Sequence, residues 1–273
     1  MRRHVFAAIA PVGTGKLPAE LIYSSMEKIW IGTSGWSYTG WAGTFYPPKM
    51  SSSQWLGFYA RQFPTVEINA SFYRLPSGKM AQHWRDATPE GFLFAVKGSR
   101  LVTHLKKLTN TETALAVFFE RMLPLGDRCG PFLWQLPPFL HKDAARLDRF
   151  LSQLPKGRHA VEFRHASWMA SEVFDTLRRH HAACVWLSSW EMPRNFTITA
   201  DFIYARFHGL EGGAAHNYSE AELAPWADHL RAAAREGVPS FAYFNNDVNA
   251  RAPHNAKMLA QMVAGNLKSK MKN

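Results

Sequence analysis

The 273-residue chain is predicted to fold as a single (β/α)8 barrel, a TIM-like α/β architecture with eight parallel strands. Three observations predict it. Eight short apolar, β-branched or aromatic runs, bounded by turn residues, alternate with longer amphipathic stretches. The starts of those runs are 30 residues apart on average, the length of one βαβ step. The glycine fingerprint of an open dinucleotide-binding sheet is absent, which weighs against the doubly wound alternative.

The runs fall at 29–36 (IWIGTSGW), 65–71 (TVEINAS), 92–98 (FLFAVKG), 130–137 (GPFLWQLP), 159–165 (HAVEFRH), 183–189 (ACVWLSS), 201–209 (DFIYARFHG) and 239–247 (PSFAYFNND). Between them, residues 54–63 place Trp55, Phe58, Tyr59 and Phe63 at helical spacing. Residues 142–154 do the same with Leu147, Phe150, Leu151 and Leu154. Ser171 begins a helix with an acid in its first turn and basic residues at its end, as the helix dipole favours. Ser219 begins another, which Pro225 is expected to divide in two. A last helix spans 254–267. The sixth crossover, 190–200, contains Pro193 and Asn195 and has no helical period, so it is expected to be irregular. Residues 1–28 form an N-terminal extension, 29–267 the barrel and 268–273 a basic tail.

Composition narrows the class. Hydrophobic residues make up 47 % of the chain, enough to offset chain entropy, which excludes disorder. Two cysteines, Cys129 and Cys184, are no disulfide framework and read as buried, reduced thiols of a cytoplasmic protein. No stretch has the roughly 18 apolar residues of a membrane helix, so no membrane partner is expected. The apolar run after Arg2 and Arg3 is too short for an export signal. The formal charge of +11 attracts polyanions, but the basic residues are spread along the chain.

Strand periodicity locates a site. Residues two apart on a strand share a face, and inward residues at strand C-termini form the working end of a parallel barrel. On the second run Val66 and Ile68 suit the helix-facing side, so Glu67 and Asn69 face inward. The same parity turns Lys97, Gln135, Glu162 with Arg164, Arg206 with His208, and Asn245 with Asp247 into the mouth. Stability alone would place Val, Ile and Leu there, since buried charges rarely add net stability. The alternatives are a barrel-plugging ion network and a ligand site built on that network. The loop after the first strand carries Trp36, Tyr38, Trp41, Phe45 and Tyr46. These aromatics suit either stacking on a base or sugar, or a packed lid over the barrel end.

The motifs IGTSGWSYTGW, TVEINASFYRLPS, FLFAVKGSRLVTHLKKL, FLWQLPP, AVEFRHASW and FHG…YFNND together resemble the YecE-like family, domain of unknown function 72, from about residue 29 to 264. The resemblance implies a TIM barrel with a cleft at the strand C-termini and names no reaction. The likeness of that fold to metal-dependent, endonuclease-IV-like barrels suggests DNA binding by analogy alone. The basic residues of the mouth argue against a trinuclear metal centre and leave room for one carboxylate-held divalent cation at most, so the cofactor is left unassigned.

Three readings follow: two functions, and a sugar-binding or structural barrel with a vestigial site. The first is an enzyme acting on a phosphate-bearing or glycosidic ligand. In it Glu67, Glu162 and His208 carry acid–base chemistry, and Trp36, Asn69, Lys97, Gln135, Arg164, Arg206, Asn245 and Asp247 bind the ligand. Glu67, whose inward neighbour on its own strand is the neutral Asn69, is expected to be the acid with a raised pKa. Glu162, beside Arg164, is expected to stay ionised as base or anchor. The second is a nucleic-acid-binding protein without chemistry.

Overall fold

The computed structural model describes residues 29–270, with side chains described as far as residue 265. The expected N-terminal extension and residues 271–273 of the expected tail lie outside the described residues. Each predicted run contains strand, trimmed at its ends: β1 (Ile29–Thr33), β2 (Thr65–Ile68), β3 (Leu93–Lys97), β4 (Cys129–Gln135), β5 (His159–Glu162), β6 (Ala182–Cys184), β7 (Trp186–Ser188), β8 (Ile203–Phe207) and β9 (Ser240–Phe244). All pairings between these strands are parallel.

The strands form two sheets, β1-β9-β8-β7 and β2-β3-β4-β5-β6. Both seams between them are bridged. β6 and β7 are halves of one chain path interrupted at Val185, whose N–H donates to the Val161 carbonyl at 3.0 Å. β6 pairs with β5 and β7 with β8, so this path belongs to both sheets. At the other seam Ser34 and Glu67 form a parallel bridge, and the Gly35 N–H donates to the Glu67 carbonyl at 2.8 Å. Gly32 permits that approach: a Cβ there would lie 2.2 Å from the Thr65 carbonyl oxygen. Eight strand paths therefore surround one interior.

Alternation gives the barrel two cores. Ile31, Val66, Val96, Trp134, Val161 and Phe207 face outward into the helical layer. Ala95, Leu133, Ala160, Val185, Tyr204 and Tyr243 fill the interior. Trp30 stacks on Phe241 at 4.9 Å in that interior cluster. The inner residues nearest the strand N-termini are thus apolar apart from Thr65, whose hydroxyl meets that of Tyr243 at 2.8 Å, and the charged ones lie towards the C-termini.

The helices follow the sequence pattern with one correction. α1 (Trp55–Ala60), α5 (Ala144–Leu151), α6 (Ser171–Arg179) and α8 (Arg251–Lys270) occupy expected segments. α7 (Glu220–Arg235) is continuous through Pro225, contrary to the expected break. Ser219 and Glu222 close a capping box at its start. Leu223, Trp226, Ala227, Leu230 and Ala233 bury one face, and this packing outweighs the hydrogen bond lost at proline. Three helices that periodicity did not single out, α2 (Ala70–Tyr73), α3 (Gly78–Asp86) and α4 (Glu112–Met122), complete the first half. The sixth crossover is irregular, as expected. Both cysteines are free thiols, and burial pushes each up to about 12. Cys184 is buried as expected, whereas Cys129 is only partly covered. No helix among the described residues is long and apolar enough to cross a membrane.

Candidate active site

The inward residues at the strand C-termini converge on Arg206, whose side chain is fully buried. From β8, Arg206 Nη2 donates to Glu67 Oε1 of β2 at 2.7 Å and to Ser34 Oγ at 3.1 Å. Arg206 Nη1 donates to Glu162 Oε2 of β5 at 2.6 Å and to Gln135 Oε1 of β4 at 3.1 Å. One guanidinium thus bridges two fully buried carboxylates from different strands. Ser34 Oγ also donates to Glu67 Oε1, and Tyr204 donates to Glu67 Oε2 at 2.6 Å. Asn69 Nδ2 donates to Ser34 Oγ at 2.8 Å. Arg164 links Glu162, at 3.1 Å, to Glu191 on the irregular crossover.

This network corrects the expected protonation of Glu67. Burial alone would raise its pKa, but Arg206 and Lys97, with hydrogen bonds from Ser34 and Tyr204, hold the carboxyl below its ordinary value. Glu162 is held lower still: burial is outweighed by Arg206, His208 and Arg164. Both carboxylates are therefore ionised near neutrality. Same-strand neighbours misled the expectation, because the decisive cation comes from another strand.

His208 completes the polar cluster. Arg206 Nη1 has two hydrogens, which Glu162 and Gln135 accept, although His208 Nε2 lies 3.0 Å away. Asn245 Nδ2 donates to His208 Nδ1 at 3.1 Å, so the imidazole proton belongs on Nε2, facing Glu162 at 3.2 Å. Burial lowers the His208 pKa below its ordinary value despite Glu162, and the ring is neutral at pH 7.

Lys97 stands apart. It ends β3 with 8 % of its surface exposed. Its Nζ lies 4.3 Å from the centre of the Phe72 ring. Among the described residues no carboxylate lies within ion-pairing distance of it, whereas Arg206 and Arg164 are both paired. Burial and the neighbouring Arg206 bring the ammonium down to about 8, against the opposing pull of Glu67 and Glu162.

One candidate, Trp36, lies elsewhere, whereas Asp247 sits at the rim, where it and Glu67 both act on Tyr38. Trp36 packs edge-on against Trp84 at 5.4 Å and faces Phe94 at 6.4 Å, in the helix-facing layer. Its loop is a packed cover rather than a free stacking surface. Trp41 is fully buried and Tyr46 stacks on Trp55 at 4.8 Å. The Asp247 carbonyl accepts from Trp41 Nε1 at 2.9 Å, which ties this cover to the end of the last strand path. The Asp247 carboxyl is half-buried, its pKa raised by burial. Ser34, Tyr204 and Phe72 were not among the sequence candidates. Parity identifies the first two, which continue the inward series Trp30–Gly32–Ser34 and Tyr204–Arg206, whereas Glu191 lies on a segment without a period. No group of three or more His, Cys, Asp or Glu side chains among the described residues is arranged to hold a metal.

The family model described as Protein of unknown function DUF72 matches residues 30–273. The chain belongs to the DUF72 family. It is 26 % identical over 269 residues to the UPF0759 protein YunF of Bacillus subtilis, covering 86 % of this chain and 94 % of that one. It is 32 % identical over 154 residues to the UPF0759 protein YecE of Escherichia coli, about half of each chain. Among solved structures, a DUF72 protein from Thermotoga maritima superposes with a TM-score of 0.79 at 28 % identity, covering 86 % of this chain and 98 % of that one. A DUF72 protein from Enterococcus faecalis gives 0.73 at 20 % identity, covering 88 % and 98 %, a likeness of fold alone.

Proposed function

We infer that this DUF72 barrel is an enzyme acting on a small anionic, phosphate-bearing ligand bound at the strand C-termini. The observation that carries the reading is Lys97, a nearly buried ammonium without a carboxylate partner beside a network in which the other cations are paired. An incoming anion would supply the missing countercharge. The glycosidic alternative fits less well. Glycoside hydrolysis ordinarily needs one protonated carboxylic acid, and both carboxylates here are held ionised. Proton transfer then falls to His208, neutral and oriented between Asn245 and Glu162, with Glu162 stabilising the imidazolium when it forms. Glu67 fixes Arg206, and Arg206 fixes Gln135 at the mouth. Titration with inorganic phosphate and with phosphorylated sugars at high salt tests this. Lys97→Arg should retain binding and Lys97→Ala should lose it, while diffuse surface attraction would survive neither the salt nor depend on Lys97. Equal affinity in wild type and Lys97→Ala would refute the assignment.

A second reading, nucleic-acid binding, draws on the exposed ring surfaces in the loops that follow the strands. Tyr73 is 80 % exposed, Trp190 is 66 % exposed, and Lys107 lies over Phe139 at 5.3 Å. It predicts steep salt dependence and weaker single-strand binding in Tyr73→Ala and Trp190→Ala, with Lys97 variants unaffected.

A further inference from the structure

We propose that Lys97 is the covalent centre of the site: its free amine condenses with the carbonyl of a small anionic aldehyde or ketone to form an imine. This rests on the functional reading above and narrows its ligand to an anionic carbonyl compound.

The geometry separates a nucleophilic lysine from one that merely neutralises charge. A lysine that balances Glu67 or Glu162 would sit on their oxygens. Those oxygens are instead occupied by Arg206, Ser34, Tyr204 and Arg164. Lys97 Nζ rests against the face of Phe72, whose π cloud attracts the ammonium but offers no lone pair to hold it, so the nitrogen lone pair is free once the ammonium loses its proton. Two further features favour the neutral amine. The side chain is nearly buried, so its charge is poorly solvated. Arg206 and Arg164 repel a second cation. The resulting value of about 8 leaves on the order of a hundredfold more free amine at pH 7 than an ordinary surface lysine has. This is the environment in which an amine becomes a nucleophile towards a carbonyl group.

The step balances without a co-reactant. The nitrogen lone pair forms the C–N bond while the carbonyl π pair moves to oxygen. The two protons of the amine leave with that oxygen as water, and C=N replaces C=O. Once protonated, the imine draws electrons from the adjacent carbon, where a C–H or C–C bond can then break. The anionic group of the ligand provides the countercharge for the protonated imine and for the arginine-rich surroundings.

The experiment is reductive trapping on the full-length chain. The protein is incubated at pH 7 with glyoxylate or with dihydroxyacetone phosphate, then reduced with borohydride and mapped by peptide mass spectrometry. The adduct is expected on Lys97 at about tenfold or more above any other lysine, in line with its larger free-amine fraction. It should disappear in Lys97→Arg, which keeps the cation and cannot form the imine. A labelling pattern in which Lys97 is no more reactive than surface lysines overturns the proposal. The phosphate titration separates the two readings. Phosphate binding retained in wild type and in Lys97→Arg, with no trapping in wild type, would leave the anion site and remove the amine chemistry. Loss of both would remove the site altogether.

Discussion

Replacing Arg206 by Met tests the ion network most directly. The substitution keeps much of the side-chain length and removes the one cation that bridges Glu67 and Glu162. Both carboxylates would remain fully buried, one with Tyr204 and Ser34 and the other with Arg164 and His208. Removing one member of a buried ion pair typically costs about 3–5 kcal/mol, because the remaining charge is left uncompensated. At about 2–4 °C per kcal/mol for a chain approaching this size, Tm should fall by about 6–20 °C. The pH dependence should also reverse. In the native protein both carboxyls have depressed pKa values, so their stabilisation is present above the unfolded value and is lost as pH falls through the folded values. Without Arg206, burial raises them, and stability should instead increase on acidification from neutrality towards pH 5. Thermal melts of both proteins between pH 5 and 8 measure this. A variant within 2 °C of the wild type, with an unchanged pH slope, would refute the reasoning that Arg206 compensates these charges.

Lys97→Met should raise stability while abolishing phosphate binding. An amine depressed from 10.5 to about 8 reflects a buried charge that opposes folding by up to about 3 kcal/mol, and a melt at pH 7 no higher than wild type would count against that. The sign can be checked in the wild type: the unfolded state binds more protons between about pH 8 and 10.5, so Lys97 contributes a rise in stability with pH across that interval. Phosphate affinity should fall as pH rises through about 8, because the anion needs the ammonium, and calorimetry from pH 6.5 to 9.5 would show this. Gly32→Ala should lower stability by about 1–3 kcal/mol or more in denaturant titrations, since its Cβ would lie 2.2 Å from the Thr65 carbonyl at the β1–β2 seam.

The eight strands and the inward parity of Glu67, Lys97, Gln135, Glu162 and Arg206 are legible in the sequence, because a parallel barrel repeats one step and alternates two faces. The pairing of those residues is not. Glu67 and Arg206 are 139 positions apart, and nothing in either strand says that a single guanidinium reaches both carboxylates. That is why Glu67 reads as the better acid from its own strand and is held ionised in the fold. The aromatic loop fails for a related reason. Trp36, Trp41 and Tyr46 have the composition of a stacking surface, and only the position of Trp84, Phe94 and Trp55 turns them into packing. Pro225 misleads because propensity is local, whereas the burial of Trp226 and Leu230 that holds α7 together is tertiary.

A plug selected for stability would not leave Lys97 as it is. The two carboxylates of the mouth meet the conditions that make buried charge tolerable: Glu67 and Glu162 are both paired with Arg206 and receive further hydrogen bonds. A plug could end β3 with Met or Leu and continue the apolar layer formed by Ala95, Leu133 and Ala160. Lysine at that position places a positive charge, or a free amine, at the boundary between the apolar interior and the open end of the barrel. The paired network around it has a second consequence. Because Arg206 already satisfies both carboxylates, neither is free to neutralise Lys97 by a small shift of rotamer. Among the described residues the Lys97 amine is therefore left without a carboxylate partner beside two carboxylates that Arg206 already pairs, and the proposed anionic ligand is what would bring the missing charge.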